Sequence, residues 1–403
     1  MNSHRLKAAT RRRAVFALTA LLTVFGQDVC LAQGELHDTH FHLLNYIQEG
    51  PAIQEVMPIL RDAGVTRSVL FGIPLQQRWD GRQFPLDASK SSKGSPVYYL
   101  NTDSELYYYA AVDALIADAY CSLPHEQRGF WDPMITGFNP TDMHAADHIK
   151  NMMRSHPGVF RGVGEFSVHK EVVSSKISGT TATLGDPALE RIFATAAELG
   201  LVTILHNDMS DMANRNPPTY LAATKDLLLR VSRYYKARNY RTPGIIWAHT
   251  GLGRFVKPLQ PGAGGQGHTQ LLAELLADPR FEHVAFDISW DYVAGYIIGD
   301  MARHKAGHND VNDWVELFNS YPDRFLFGSD AVSPRSKPKH AILVALYEKI
   351  FAELDAGTRN RIAYGNYRAI FDDPDRHTLR TNWERKYGHR ATTCGPVKIG
   401  AGN

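Results

Sequence analysis

Cysteine is scarce in this chain: there are three in 403 residues. None forms a Cys-x-x-Cys pair, which excludes a thiolate metal site of the usual spacing. Beyond residue 34, no apolar run approaches the ~18 residues that a membrane-spanning helix needs. Charge of one sign is missing too. Lys and Arg number 44 against 42 Asp and Glu, whereas a chain whose main task is gripping nucleic acid carries a basic surface. No low-complexity tract points to disorder. The glycine-rich stretch from Pro258 to Gly267 lacks the Gly-x-x-x-x-Gly-Lys pattern of a phosphate loop and reads as a flexible connection. What is present is apolar material for a sizeable core, 44% of residues. The length suits one large α/β barrel or two ordinary domains.

The first residues read as an address rather than as fold. Arg5, Lys7 and Arg11-Arg12-Arg13 precede an apolar stretch from Ala14 to Gly26, and Cys30-Leu31-Ala32 offers small residues for cleavage after Ala32. This is the pattern of a secretory signal peptide over residues 1–32, too short to span a bilayer. Arg12-Arg13-Ala14-Val15-Phe16 loosely resembles a twin-arginine signal, with Arg11 where Ser or Thr is usual. Ordinary secretion is the alternative. Cys30 sits in a poor lipoprotein context, so no stable membrane anchor is expected. The expected location is periplasmic or secreted. Removing residues 1–32 takes away five basic residues and one acid, leaving 39 basic against 41 acidic and a net charge of about −2. Two cysteines then remain, Cys121 and Cys394. They read as a buried helical thiol and a thiol in a loose tail, with a disulfide as the alternative in an oxidising compartment.

From residue 35 onward, short apolar runs alternate with amphipathic stretches. Strands are predicted at Leu36–His42, Ser68–Ile73, Met134–Phe138, Phe160–Phe166, Val202–His206, Gly244–His249, His283–Ile288 and Arg324–Gly328. Several are continuously apolar, as parallel strands covered by helices are. Between them, Asp186-Pro187 opens a helix that stops at Gly200. Thr102-Asp103-Ser104-Glu105 reads as a capping box before Leu106–Tyr120. Further helices are predicted over Pro217–Tyr235, Thr269–Ala277, Val311–Ser320 and Lys339–Leu354. Eight such units predict an α/β fold, a (β/α)8 TIM barrel. Its expected span is 33–385, with a long insertion after strand 2 (74–101) and a poorly structured tail over 386–403. A doubly wound open sheet is the other architecture compatible with this order.

Parallel barrels collect their chemistry at the strand C-termini. There the first strand presents His40 and His42, two imidazoles whose i, i+2 spacing puts them on one side. The fourth presents Glu165, the fifth ends in His206, the sixth in His249, and Asp330 follows the eighth. Each alone reads as a turn or core residue, and Asp330 as a helix cap. Six in this order at one rim read as N and O ligands for a divalent metal, one ion or two. Asn207, Arg254 and Trp290 follow neighbouring strands and are candidates to touch substrate.

These residues resemble the amidohydrolase superfamily, the metal-dependent hydrolases of TIM-barrel fold, in its amidohydrolase-related branch. The resemblance covers nearly the whole mature chain. It rests on Asp38-Thr39-His40-Phe41-His42, His206, Trp247-Ala248-His249-Thr250-Gly251-Leu252-Gly253, Phe327-Gly328-Ser329-Asp330 and the closing Tyr364-Gly365-Asn366-Tyr367-Arg368-Ala369-Ile370-Phe371. It implies that His40 and His42 hold one metal and His206 and His249 the other. It also implies that Asp330 contacts metal and shuttles protons, so that Asp330 and His249 are the catalytic candidates. Many binuclear members bridge their metals with a carboxylated lysine on the fourth strand. Here that strand offers Glu165, as in the TatD-like branch, with Lys170 farther on. If Glu165 bridges, the site is binuclear; if not, it holds one ion. Zinc is the expected metal, with manganese or cobalt as alternatives. The implied activity is cleavage of an ester, lactone or amide in a small molecule by an activated water. The alternatives are a TatD-like phosphoesterase or nuclease and a non-hydrolytic metal-dependent decarboxylase. A nucleic-acid partner is not expected, and self-association into a homo-oligomer stays open.

Overall fold

The computed structural model describes residues 35–46, 48–76, 107–108, 110–171, 182–238, 240–261, 265–299, 311–389 and 394. Eight parallel strands form one curled sheet in sequence order: β1 Leu36–Asp38, β2 Val65–Leu70, β3 Trp131–Ile135, β4 Gly162–Ser167, β5 Val202–His206, β6 Ile245–Trp247, β7 Val284–Asp287 and β8 Phe325–Leu326. Neighbours in the chain are neighbours in the sheet, as in a barrel built from successive strand–helix units. The circle closes beyond β1 and β8. There Phe41–His42 pairs in parallel with Ala331–Val332, and Thr39 N and Oγ1 donate to Phe327 O at 3.0 and 2.6 Å. This is the TIM barrel expected from the pattern, and each of the eight predicted strands overlaps an observed one.

Six strands, β1 to β3 and β6 to β8, end earlier than predicted at the functional rim, whereas β5 matches its predicted span and β4 runs one residue further. His249 and Asp330 adopt φ of 58° and 50°, left-handed conformations that end a strand. Helix Pro187–Leu199 begins and ends as its sequence predicts. Asp186 accepts from Ala188 N at 2.9 Å, and Gly200 caps the far end at φ 68°. Between the strands the interior is close-packed, with Trp247, Phe286 and Phe325 fully buried and stacked in succession.

The cysteine reading needs correction. Cys121 and Cys394 are joined in a disulfide. Helix Pro374–Tyr387, which the sequence reading did not assign, packs against helices Ala145–Ser155 and Pro187–Leu199. Arg128 donates to the carbonyls of both cysteines. Weak patterning near residue 385 concealed this docking, and the helix runs two residues past the expected barrel boundary. Residues 1–34, the insertion from Gln77 and the Thr102–Glu105 capping box lie outside the described residues, as does the tail beyond 389 apart from Cys394.

Candidate metal centre

Backbone geometry aims the rim residues inward. In β4, Gly164 has φ 111°, and a Cβ there would fall 2.2 Å from Ile204 O in β5. Only glycine allows the two strands this approach, and the next residue, Glu165, is held at the β4–β5 seam. His206 is the last residue of β5. At Gly328 an added Cβ would lie 3.0 Å from the His40 side chain, so a residue without one lets β8 carry Asp330 beside the β1 histidines. The left-handed turn at His249 is clamped by its N–H, which donates to Asp287 Oδ1 at 2.8 Å. Non-glycine residues held at positive φ cost about 1–3 kcal/mol each and concentrate at functional sites.

These elements bring His40, His42, Glu165, His206, His249 and Asp330 together. Three overlapping sets have all their ligand atoms within 4.8 Å of one another: His40, His42 and Glu165; Glu165, His206 and His249; and His40, His249 and Asp330. Glu165 divides its oxygens. Oε2 lies 3.7 and 3.5 Å from His40 and His42 Nε2, while Oε1 contacts His206 Nδ1 and lies 3.8 Å from His249 Nε2. Asp330 Oδ1 stands 3.2 Å from His42 Nε2 and 3.6 Å from His40 Nε2. Donor atoms around a tetrahedral zinc with bonds of ~2.0–2.1 Å are ~3.4 Å apart, so the spacing fits a cation.

The tautomers fit as well. Each histidine ties one ring N–H to an acceptor on the outside and turns the other nitrogen inward. His40 Nδ1 faces Asp287 Oδ2 at 3.1 Å, and His42 Nδ1 faces Gly72 O at 3.1 Å. His249 Nδ1 faces Ser289 O at 3.2 Å, and His206 Nε2 faces Asp208 Oδ1 at 3.1 Å. The outer acceptors fix the proton and leave a lone pair for a metal. Among the described residues, two inward atoms, His40 Nε2 and His249 Nε2, are buried without a hydrogen-bond partner. That is a costly state for polar atoms, and a bound cation relieves it.

Electrostatics favour ionised carboxylates. Burial pushes Glu165 up, but Lys170 (Nζ 3.4 Å away) and His206 outweigh it and hold the carboxyl well below its usual range. Burial likewise raises Asp330, and the hydrogen bond from His42 with the nearby His40 and His249 more than reverses this. Burial lowers His40, yet Asp287 and Glu165 prevail and raise it. The field that favours extra positive charge on His40 is the field a cation would meet. Metal ligands must be ionised carboxylates and neutral imidazoles.

The expected substrate contacts fare unequally. Asn207 is fully buried and braced: its Oδ1 accepts from His169 N, and its Nδ2 donates to Asp208 O and Thr224 Oγ1. It is an internal strut, because residues i and i+1 at a strand end point to opposite sides. Trp290 is half-buried at the rim with its ring 5.3 Å from that of His249. The Arg254 guanidinium lies 5.7 Å from the Trp290 ring and 5.2 Å from Tyr292, a cation–π arrangement. A narrow cleft enters beside His42 and Glu165, walled by Tyr46, Ile73, Phe138, Phe166 and Lys170.

The supporting residues escaped the sequence reading. Asp287 Oδ1 accepts from His249 N, Ser289 N and Ser289 Oγ, while Oδ2 holds His40. Asp38, raised by burial to about 6, receives His40 N, Ser329 N and Ser329 Oγ and so ties β1 to the β8 turn. Their only signal was an acidic residue closing the apolar run Val284–Asp287 and the Asp-x-His spacing.

A parallel barrel with imidazoles and carboxylates converging on its C-terminal rim has the architecture of metal-dependent barrel enzymes. The family model for amidohydrolases matches residues 38–372, and the chain belongs to that family. No curated protein matches the sequence. Among solved structures, it is similar to an amidohydrolase from Burkholderia multivorans with bound zinc (12% identity, TM-score 0.45, covering 84% of this chain and 100% of that one). It is also similar to a dihydroxybenzoic acid decarboxylase from Polaromonas sp. JS666 with bound manganese and the inhibitor 2-nitroresorcinol (13%, 0.45, 84% and 97%). A third is a probable 2-pyrone-4,6-dicarboxylic acid hydrolase from Acinetobacter baumannii with citric acid bound (12%, 0.44, 84% and 99%).

Proposed function

We propose that this protein is an exported metal-dependent hydrolase that cleaves an ester, lactone or amide bond in a small molecule. The observation that carries the reading is the convergence of four imidazoles, each with one ring nitrogen tied outward and the other turned inward, on the buried carboxylate of Glu165 and the partly exposed one of Asp330. His40 and His42 would hold one cation, His206 and His249 a second, with Glu165 between them; zinc is the first choice, manganese or cobalt the others. When bound, the cation supplies Lewis acidity and lowers the pKa of water. Asp330 then takes the proton of the attacking water and returns it to the departing oxygen or nitrogen. Lys170 neutralises part of the charge on Glu165, and Trp290 offers an apolar wall to the substrate. Export rests on the N-terminal signal pattern and the Cys121–Cys394 disulfide, a bond of oxidising compartments.

The test is to restore zinc, manganese or cobalt to the purified chain and challenge it with esters, lactones, amides and phosphodiesters while monitoring released carbon dioxide. Turnover of a C–O or C–N substrate that disappears on chelation is expected. Turnover of phosphodiesters alone, or carbon dioxide release without hydrolysis, would replace the reading with a phosphoesterase or a decarboxylase.

A further inference from the structure

At the opposite end of the barrel, where the strands begin, a cavity of about 250 Å³ opens between the β2–β4 starts and the C-terminal helix Pro374–Tyr387. The cleft beside Glu165 has only about 10 Å³, room for roughly one water. The larger cavity is lined by an excess of cations. Arg67 is already committed, with Nε 2.7 Å from Asp132 and Nη1 2.8 Å from Asp372. Arg128 donates to the carbonyls of Leu123 and Cys121 at 3.0 and 2.9 Å. Two guanidiniums remain, Arg161 and Arg380. Among the described residues, neither has a carboxylate within ion-pair distance.

Arg380 is only 3% exposed. Among the described residues, its one hydrogen bond runs from Nη1 to Gly200 O at 3.3 Å. Five donors in a planar fork are therefore nearly unused. Burial and then the like charge of Arg161 lower Arg380 to about 10, against the partial support of Glu384 and Asp132. A buried charge with no carboxylate in direct contact is costly for a fold to carry. Trp131 and Phe371 give the same cavity aromatic walls.

We propose that this cavity binds a small oxyanion, a phosphate or carboxylate group held by the forks of Arg161 and Arg380, at a site separate from the metal centre. Guanidinium pairs match the planar, bidentate acceptor geometry of such groups. Trp131 and Phe371 would receive an apolar body attached to the anion. The half-buried position of Arg161 makes it the group a ligand would meet first.

The experiment is calorimetric titration of the full chain with inorganic phosphate and, separately, with succinate, at constant ionic strength set with sodium chloride. Saturable binding of at least one probe is expected. It should weaken tenfold or more in Arg161→Gln and in Arg380→Gln, while Arg161→Gln keeps its metal content and basal turnover. The stronger probe tells phosphate from carboxylate. Arg161→Gln alone decides the matter if Arg380→Gln fails to fold. Two results would overturn the proposal: no saturable binding of either probe, or binding as tight in Arg161→Gln as in the parent, which would put the anion at the metal centre instead.

Discussion

Replacing Asp287 with asparagine should loosen the metal centre without touching it. Oδ2 of this buried carboxylate receives His40 Nδ1–H at 3.1 Å, and Oδ1 receives His249 N at 2.8 Å and Ser289 N at 3.1 Å. An amide offers one acceptor and one donor. If its oxygen keeps the backbone contacts, its NH2 faces His40 Nδ1. The imidazole then shifts its proton to Nε2, closing the lone pair a cation needs. If the amide turns round, the NH2 meets the N–H of His249, and the left-handed turn loses its clamp. Either way one of two ligands is mispositioned. Losing the acceptor that orients a metal-binding histidine typically weakens metal affinity about 10–100-fold, or about 1.4–2.7 kcal/mol. Competition with a chromophoric chelator measures this directly, with circular dichroism to confirm the fold. An Asp287→Asn variant that holds zinc as tightly as the parent and turns over equally fast would refute the tautomer argument.

Asp330→Asn should retain metal yet lose about 10²–10⁴-fold in turnover, if its role is proton transfer; steady-state kinetics on metal-replete protein check it. Gly164→Ala places a methyl 2.2 Å from Ile204 O at φ 111°, so denaturant unfolding should show a loss of at least about 1–3 kcal/mol together with weaker metal retention. His340 is buried on helix Lys337–Ala352 with both ring nitrogens unpartnered among the described residues, and burial lowers it to about 4. Its folded pKa lies below the unfolded value of 6.5, so the stability it allows is present above pH 6.5 and lost as pH falls towards 4. The linked loss is on the order of 3 kcal/mol. His340→Leu should flatten that part of the stability–pH curve and raise stability at pH 5; an unchanged curve would contradict the burial argument.

The barrel was legible because eight apolar runs recur in order, and their C-terminal ends name the same six side chains that meet in space. What the sequence concealed was the layer behind them. His42 and His249 are oriented by the backbone carbonyls of Gly72 and Ser289, and every residue has a carbonyl, so no residue type marks them. Asp287 looked like an ordinary strand end because its partners are 247 and 38 residues away. Asn207 was misplaced because its neighbour His206 drew it to the rim, although strand alternation turns the two in opposite directions. The disulfide depended on where the C-terminal helix docks, which local periodicity does not encode.

The central claim is that these six side chains bind divalent metal. Elemental analysis of the purified chain, before and after chelation and reconstitution with zinc, tests it most directly. One or two equivalents of metal per chain, lost in a His40→Ala, His249→Ala double variant that still folds, are the predicted result. A chain that binds no zinc, manganese or cobalt, or a double variant that binds as much as the parent, would contradict it.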